Sequence, residues 1–467
     1  MRSVRARLSC VLLTALALAL AALAAVAAPE QGRAAARALQ GQAAKPSRAR
    51  PAAPASLSPA PATPSPAPVR LSPAPVRLSP APASLSPAPA TLSPAPATGA
   101  LGLDLLRARA RGNAVLSPDS IAAALAMVGT GAAGATASQI AHVLHLASAA
   151  GFPAVGRLQG TIAAEQLQAG AGDSEAPQLD LANELFLQSG FALLPGFVAG
   201  LAQNFGVPGP QTVDFEKDSA GAVQAINEWV SSHTEGVIPK LLASLDPATR
   251  LVLANAIYLK AAWLHPFKAS ASSPGAFHGE GRGIPATFMH QTETLRYGSG
   301  RGYAAVALPY RSSTLSLLLM LPVGESVAAL AQRLNGTRLA AIARKLAPRA
   351  VKLTLPRFHL RTSTMLNSTL AGLGMRAAFT DAANFSAITK AVPLKIGQVD
   401  HAADFMVDEE GTVAAAATVV TVEATAERLP PSNPVIFKAN RPFLFCLRDE
   451  RTGAVLFAGR LSDPSQT

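Results

Sequence analysis

The chain has two cysteines in 467 residues, Cys10 and Cys446. Cys10 lies in an apolar leader, so removal of that leader leaves no pair to form a disulfide. A chain this long must then be held by a large core alone. Acids are scarce as well, 28 against 40 Lys and Arg. The imbalance is local. Residues 1–100 carry ten Lys and Arg and one acid, Glu30, so nine of the twelve net positive charges sit there. The remainder is close to neutral, which excludes a basic nucleic-acid-binding domain.

Several catalytic signatures are missing. There is no G-x-S-x-G elbow, no Ser-x-x-Lys pair and no Walker loop. His142 and His145 are spaced three apart, as on one helix face, but no cysteine or carboxylate follows at metal-ligand spacing. Gly129-Thr130-Gly131-Ala132-Ala133-Gly134 has the letters of a dinucleotide fingerprint. A helix-like run precedes it, not a strand, so it reads as a helix end and turn. Neither an enzyme, a metal site nor a cofactor is expected.

What is present begins with a leader. Arg2, Arg5 and Arg7 precede an apolar run from Leu8 to Ala24, and Ala25-Val26-Ala27 offers a small-x-small cleavage site. Residues 1–27 therefore read as a signal peptide, which predicts a secreted, extracellular or periplasmic protein. If the segment is retained, Leu8 to Ala28 is long enough to tether the chain at a membrane surface. Residues 28–98 read as a disordered Pro/Ala/Ser-rich linker. Within it Leu-Ser-Pro-Ala-Pro recurs from Leu57, Leu71, Leu78, Leu85 and Leu92. Its prolines oppose helix and favour polyproline II, at about 3.1 Å per residue. The folded domain is expected over 99–467.

Within that domain, Ile121 to Val128, Thr136 to Leu146 and Ala220 to His233 read as helices. Gln178 to Gln188, Arg250 to Leu259, Ser313 to Leu321, Val351 to Leu360, Val435 to Leu447 and Ala454 to Leu461 read as strands. Helices dominate the first half and strands the second, which predicts an α+β fold.

One stretch reads as a mobile strand. Glu409-Glu410-Gly411-Thr412-Val413-Ala414-Ala415-Ala416-Ala417 starts with two carboxylates and a flexible glycine, then holds only small or uncharged side chains. Thr418 to Val422 adds a β-branched run. The segment resembles the hinge and reactive-centre loop of the serpin family. So do Ser117-Pro118-x-Ser120, Ala182-Asn183-x-Leu185-Phe186, Ile226-Asn227-x-Trp229-Val230 and Leu251-Val252-Leu253-x-Asn255-Ala256-Ile257-Tyr258 with Trp263. Leu355-Pro356-Arg357-Phe358, His401 and Asn440-Arg441-Pro442-Phe443 follow in family order.

The resemblance implies a serpin fold, with helices packed on three β-sheets and an exposed reactive-centre loop. It implies a monomeric suicide-substrate inhibitor of serine proteases, or else a non-inhibitory carrier that is cleaved as a plain substrate. In the inhibitory case the cut loop would enter the main sheet as a new strand and trap the acyl-enzyme. The hinge would be Glu409 to Ala417. Its inward positions Thr412, Ala414 and Ala416 are all small, and Val413 stands where an acid is more usual. Ser117, Ser120, Asn255 and His401 would form the shutter, and Trp263 the breach. Family spacing puts the reactive bond at Thr425 and Ala426, with Arg428 and Leu429 as the alternative. Small residues there suit an elastase-like or subtilisin-like serine protease better than a trypsin-like one; a cysteine protease is a further target class. No heparin-type cofactor is implied, because Phe152 to Glu175 holds Arg157 as its only base.

Overall fold

Proline in the first turn of a helix gives up only an N–H that has no partner there. The last Leu-Ser-Pro-Ala-Pro repeat uses that freedom. Pro94 opens helix α1 (Pro94–Ala108), so the fold starts before Gly99. The computed structural model describes residues 93–466 except 110, 174–175, 280, 282 and 413–432. The leader, the earlier repeats, Val413 to Ala417, Thr425, Ala426, Arg428 and Leu429 lie outside the described residues.

After α1 come β1 (Ala114–Leu116), α2 (Pro118–Gly129), α3 (Gly134–Val143) and α4 (Phe152–Ala169). Ser117 caps α2, its Oγ accepting from the Ser120 N–H, and every residue of α2 is buried. The chain continues through β2 (Gln178–Gln188), α5 (Pro195–Phe205), β3 (Gln211–Val213), α6 (Ser219–Ser232), β4 (Leu251–Ala262), β5 (Ser273–His278) and β6 (Gly283–Gly300). Then follow β7 (Tyr303–Pro309), β8 (Leu315–Pro322), α7 (Val327–Arg333), α8 (Gly336–Lys345), β9 (Ala347–Pro356), β10 (Phe358–Met365) and α9 (Asn367–Gly372). The chain ends with β11 (Gln398–Val407), β12 (Gly411–Thr412), β13 (Val435–Lys438), β14 (Phe443–Asp449) and β15 (Val455–Leu461).

The architecture is α+β. Among the described residues the strands form two hydrogen-bonded ladders, of nine and six strands, and not three separate sheets. The long β6 explains the difference. Its first residues pair with β5 and its last with β7, while β9 runs beside most of its length, so two groups of strands share one ladder. The six-stranded ladder runs β10-β11-β12-β4-β2-β3, with a second pairing between β11 and β4.

Other expectations are corrected locally. Val351 to Leu360 is not one strand. It breaks at Arg357, and its halves, β9 and β10, join different ladders. Val435 to Leu447 breaks between β13 and β14, where Pro442 has no N–H to give a ladder. His142 and His145 do not share a helix face. α3 stops at Val143, and His145, at φ 54°, turns back to Asp104 of α1, Nε2 to Oδ2 2.7 Å.

β4 is apolar along its length because both its faces are covered. Val252, Ala254 and Ala256 lie under Ile226 and Val230 of α6. Ile257, Leu259 and Ala261 face the other way, into a core shared with Phe443, Phe445 and Phe457 of the larger ladder.

Candidate functional site

β4 and β11 lie side by side, and their pairing is parallel, as is that of β2 with the short β3 at the ladder's edge. Gln398 to Ala403 pairs parallel with Val252 to Ile257, whereas β10–β11 and β2–β4 are antiparallel. Beyond Ala403 and Ile257 the two strands part. β12 occupies the gap, with Thr412 opposite both Val407 and Ala261, and Gly411 opposite Ala262. The result is a seam that already holds one short antiparallel strand at one end.

The segment leading into that strand is held by backbone and side-chain groups from several elements. The Trp263 N–H donates to the Glu410 carbonyl at 2.8 Å, and the Phe267 N–H to the Glu409 carbonyl at 2.9 Å. Trp263 also donates its Nε1–H to the Asp408 carbonyl at 2.9 Å. Its ring stacks on Tyr310, centroids 4.5 Å apart. The Tyr310 hydroxyl meets Thr412 Oγ1 at 2.5 Å, and burial raises its pKa. Glu409 Oε1 accepts from Arg357 Nε at 2.8 Å and from Ser272 Oγ at 2.5 Å. Burial works against the Glu409 carboxylate, but the Arg357 and Ser272 bonds outweigh it and hold its pKa below the usual range. Glu410 is exposed.

Gly411 serves closeness rather than backbone freedom. A Cβ there would lie 1.9 Å from the Ala261 carbonyl oxygen, and its φ is not among the positive ones. Only glycine lets the chain approach β4 at this point.

Lower in the seam, register brings polar groups into one row. Asn183 of β2 lies opposite Asn255 of β4, and Asn255 opposite His401 of β11. His401 Nε2 accepts from the Ser117 N–H at 3.1 Å. Its Nδ1–H donates to Asn255 Oδ1, and Asn255 Nδ2 donates to Asn183 Oδ1. Burial, with the charge of Arg109 adding to it, pushes His401 down to about 3. The imidazole is therefore neutral, with its proton on Nδ1.

Ser117, Asn255 and His401 thus meet, and Trp263 lies beside β12. Ser120 contributes differently from expectation. Its N–H donates to Ser117 Oγ at 3.2 Å, but its own buried hydroxyl has no partner in the structure. Asn183, Tyr310, Arg357 and Ser272 were not expected here. For Asn183 a signal existed, since an amide inside a buried strand needs a partner.

Residues 97–464 match the family model described as Serpin (serine protease inhibitor). The chain belongs to the serpin family. The leukocyte elastase inhibitor of Sus scrofa is 35% identical over 379 residues, 78% of this chain and 97% of that protein. An uncharacterized serpin-like protein of Thermococcus kodakarensis is 34% identical over 357 residues, 75% of this chain and 81% of that one. Among solved structures, the native state of the thermophilic serpin tengpin superposes with a TM-score of 0.68 at 27% identity, covering 79% of this chain and 93% of that one. The family is one of protease inhibitors. Of the expected hinge, Glu409 to Thr412 lie among the described residues and lead into or form β12, Trp263 of the expected breach lies beside them, and Ser117, Asn255 and His401 of the expected shutter meet lower in the seam. Among the described residues no group of three or more His, Cys, Asp or Glu is placed to hold a metal ion.

Proposed function

We propose that this serpin traps serine proteases by inserting its cleaved loop between β4 and β11. The seated β12 carries the proposal. It fixes a register that the loop can continue. Each step forward along an antiparallel loop is one step back along both neighbours, so Thr418 would arrive opposite Asn255 and His401 together. Thr412, Ala414, Ala416 and Thr418 would then face the core, and Val413, Ala415, Ala417 and Val419 would face α6. None is charged, so insertion buries no unpaired charge. The Thr418 hydroxyl would enter between the two groups whose bond it has to replace.

Thr425–Ala426 is the proposed reactive bond, with Arg428–Leu429 as the alternative, and an elastase-like or subtilisin-like serine protease is the proposed target. The basic, apolar N-terminus supports export, with the repeats as a spacer. The test is incubation of residues 28–467 with elastase-like, subtilisin-like, trypsin-like and cysteine proteases, followed by denaturing gels and mass measurement of the released C-terminal peptide. A boiling-resistant adduct with a peptide starting at Ala426 is expected. Clean cleavage by every protease, with no adduct, would favour the non-inhibitory carrier.

A further inference from the structure

The polar row at the seam is part of a closed ring. The Ser117 N–H donates to His401, His401 to Asn255 and Asn255 to Asn183. Asn183 Nδ2 donates to Gln159 Oε1 of α4 at 3.4 Å, and Gln159 Nε2 to Asp119 Oδ2 at 2.9 Å. The ring begins and ends in the first turn of α2. Its inner members both donate and accept. Its ends do not: a backbone N–H only donates, and a carboxylate only accepts. Those two ends fix the sense of every bond between them, including the proton position on His401.

We propose that Asp119 is a positioning residue for the seam: as the acceptor end of the ring it orients and strengthens the His401–Asn255 bond that joins β11 to β4. The proposal rests on the reading that this seam opens. Asp119 is fully buried, and its Oδ1 has no hydrogen-bond partner in the structure. The charge acting on it is that of Asp449 at the end of β14; the neutral His401 on β11 is reached through the ring, with the charge of Arg109, after α1, acting on His401. α4 and β2 present the amides of Gln159 and Asn183. Burial pushes the Asp119 carboxyl up to about 6, against the Gln159 hydrogen bond and with the charge of Asp449. His401 stays neutral down to about 3. Between pH 5 and 7.5 the ring therefore changes charge at Asp119. Charge-assisted bonds are about twice as strong as neutral ones, and chained bonds reinforce one another.

The experiment measures the rate at which the uncleaved full chain takes up a synthetic peptide of its own residues 412–425, at pH 5 and pH 7.5. Wild type should take it up about fivefold faster at pH 5, where the acceptor end is uncharged. Asp119→Asn should show the faster rate at both pH values. Gln159→Leu, at a half-buried position, cuts the ring one bond earlier and should flatten the profile while Asp119 remains. Asp400 also titrates in this range, on the opposite face of β11, so Asp400→Asn should keep the wild-type ratio. Should Asp119→Asn not fold, Gln159→Leu decides. A pH ratio that survives Gln159→Leu, or that vanishes only in Asp400→Asn, overturns the proposal. A wild type whose uptake is indifferent to pH overturns it alone. A wild type that takes up no peptide at either pH overturns the opening seam and this proposal with it.

Discussion

Thr412→Arg should convert the protein from an inhibitor into a substrate. Thr412 is 1% exposed, between Val407 and Ala261, with its hydroxyl on Tyr310. No acid is hydrogen-bonded to it. The acids tied to this segment are already engaged, Asp408 Oδ1 by the Glu410 and Gly411 N–H groups and Glu409 by Arg357 and Ser272. A guanidinium seated here would be buried without a partner, at about 3–5 kcal/mol. At 1.4 kcal/mol per tenfold, that slows insertion by about 10²–10³-fold or more. Hydrolysis of the acyl-enzyme, a step that does not involve the seam, keeps its rate and wins the race. The assay is the fraction of protease found as adduct against the fraction of inhibitor cleaved. Thr412→Arg should give almost only cleaved inhibitor, while Thr412→Ser should match wild type. Equal adduct yield from Thr412→Arg and wild type would refute the reasoning.

Three further predictions follow from the same contacts. Gly411→Ala should expel β12, because its Cβ meets the Ala261 carbonyl oxygen at 1.9 Å; limited proteolysis should cut near residue 411 much faster than in wild type. Tyr310→Phe removes the bond to Thr412 and should lower stability by about 1 kcal/mol in thermal unfolding, with Trp263 fluorescence altered. Asp400 is raised to about 7 by burial, against a hydrogen bond from Gln398. Its folded pKa lies above its unfolded one, so its contribution to stability is lost as pH rises from about 4 through 7. Asp400→Asn should therefore raise stability at pH 8 by on the order of a few kcal/mol, read as a higher Tm, and change little at pH 4.

Much of this was legible in the sequence because local rules and packing agreed. Gln178 to Gln188 alternates and is β2 to the residue, and the apolar run at Leu251 is a strand covered on both faces. The order of the motifs along the chain matches the family without reference to any contact. Breaks between strands were not legible. Arg357 and Pro442 interrupt runs that stay apolar on either side, and only the ladders show that the halves go to different partners. The ring through Gln159 and Asp119 was hidden for a related reason. Its members are far apart in sequence, and register, not spacing, brings Asn183, Asn255 and His401 into line. Ser117 acts through its backbone N–H, which no side-chain pattern reveals. The role of Gly411 was misread as flexibility, since the Ala261 carbonyl that excludes a Cβ is on another strand.

The most direct test is a crystal structure of the protein after its loop has been cut. The account predicts a full strand between β4 and β11, with Thr418 opposite Asn255 and His401 and the His401–Asn255 bond replaced. If β11 still pairs with β4 from Gln398–Val252 to Ala403–Ile257, as it does in the uncut chain, the seam does not open and the trapping mechanism is contradicted.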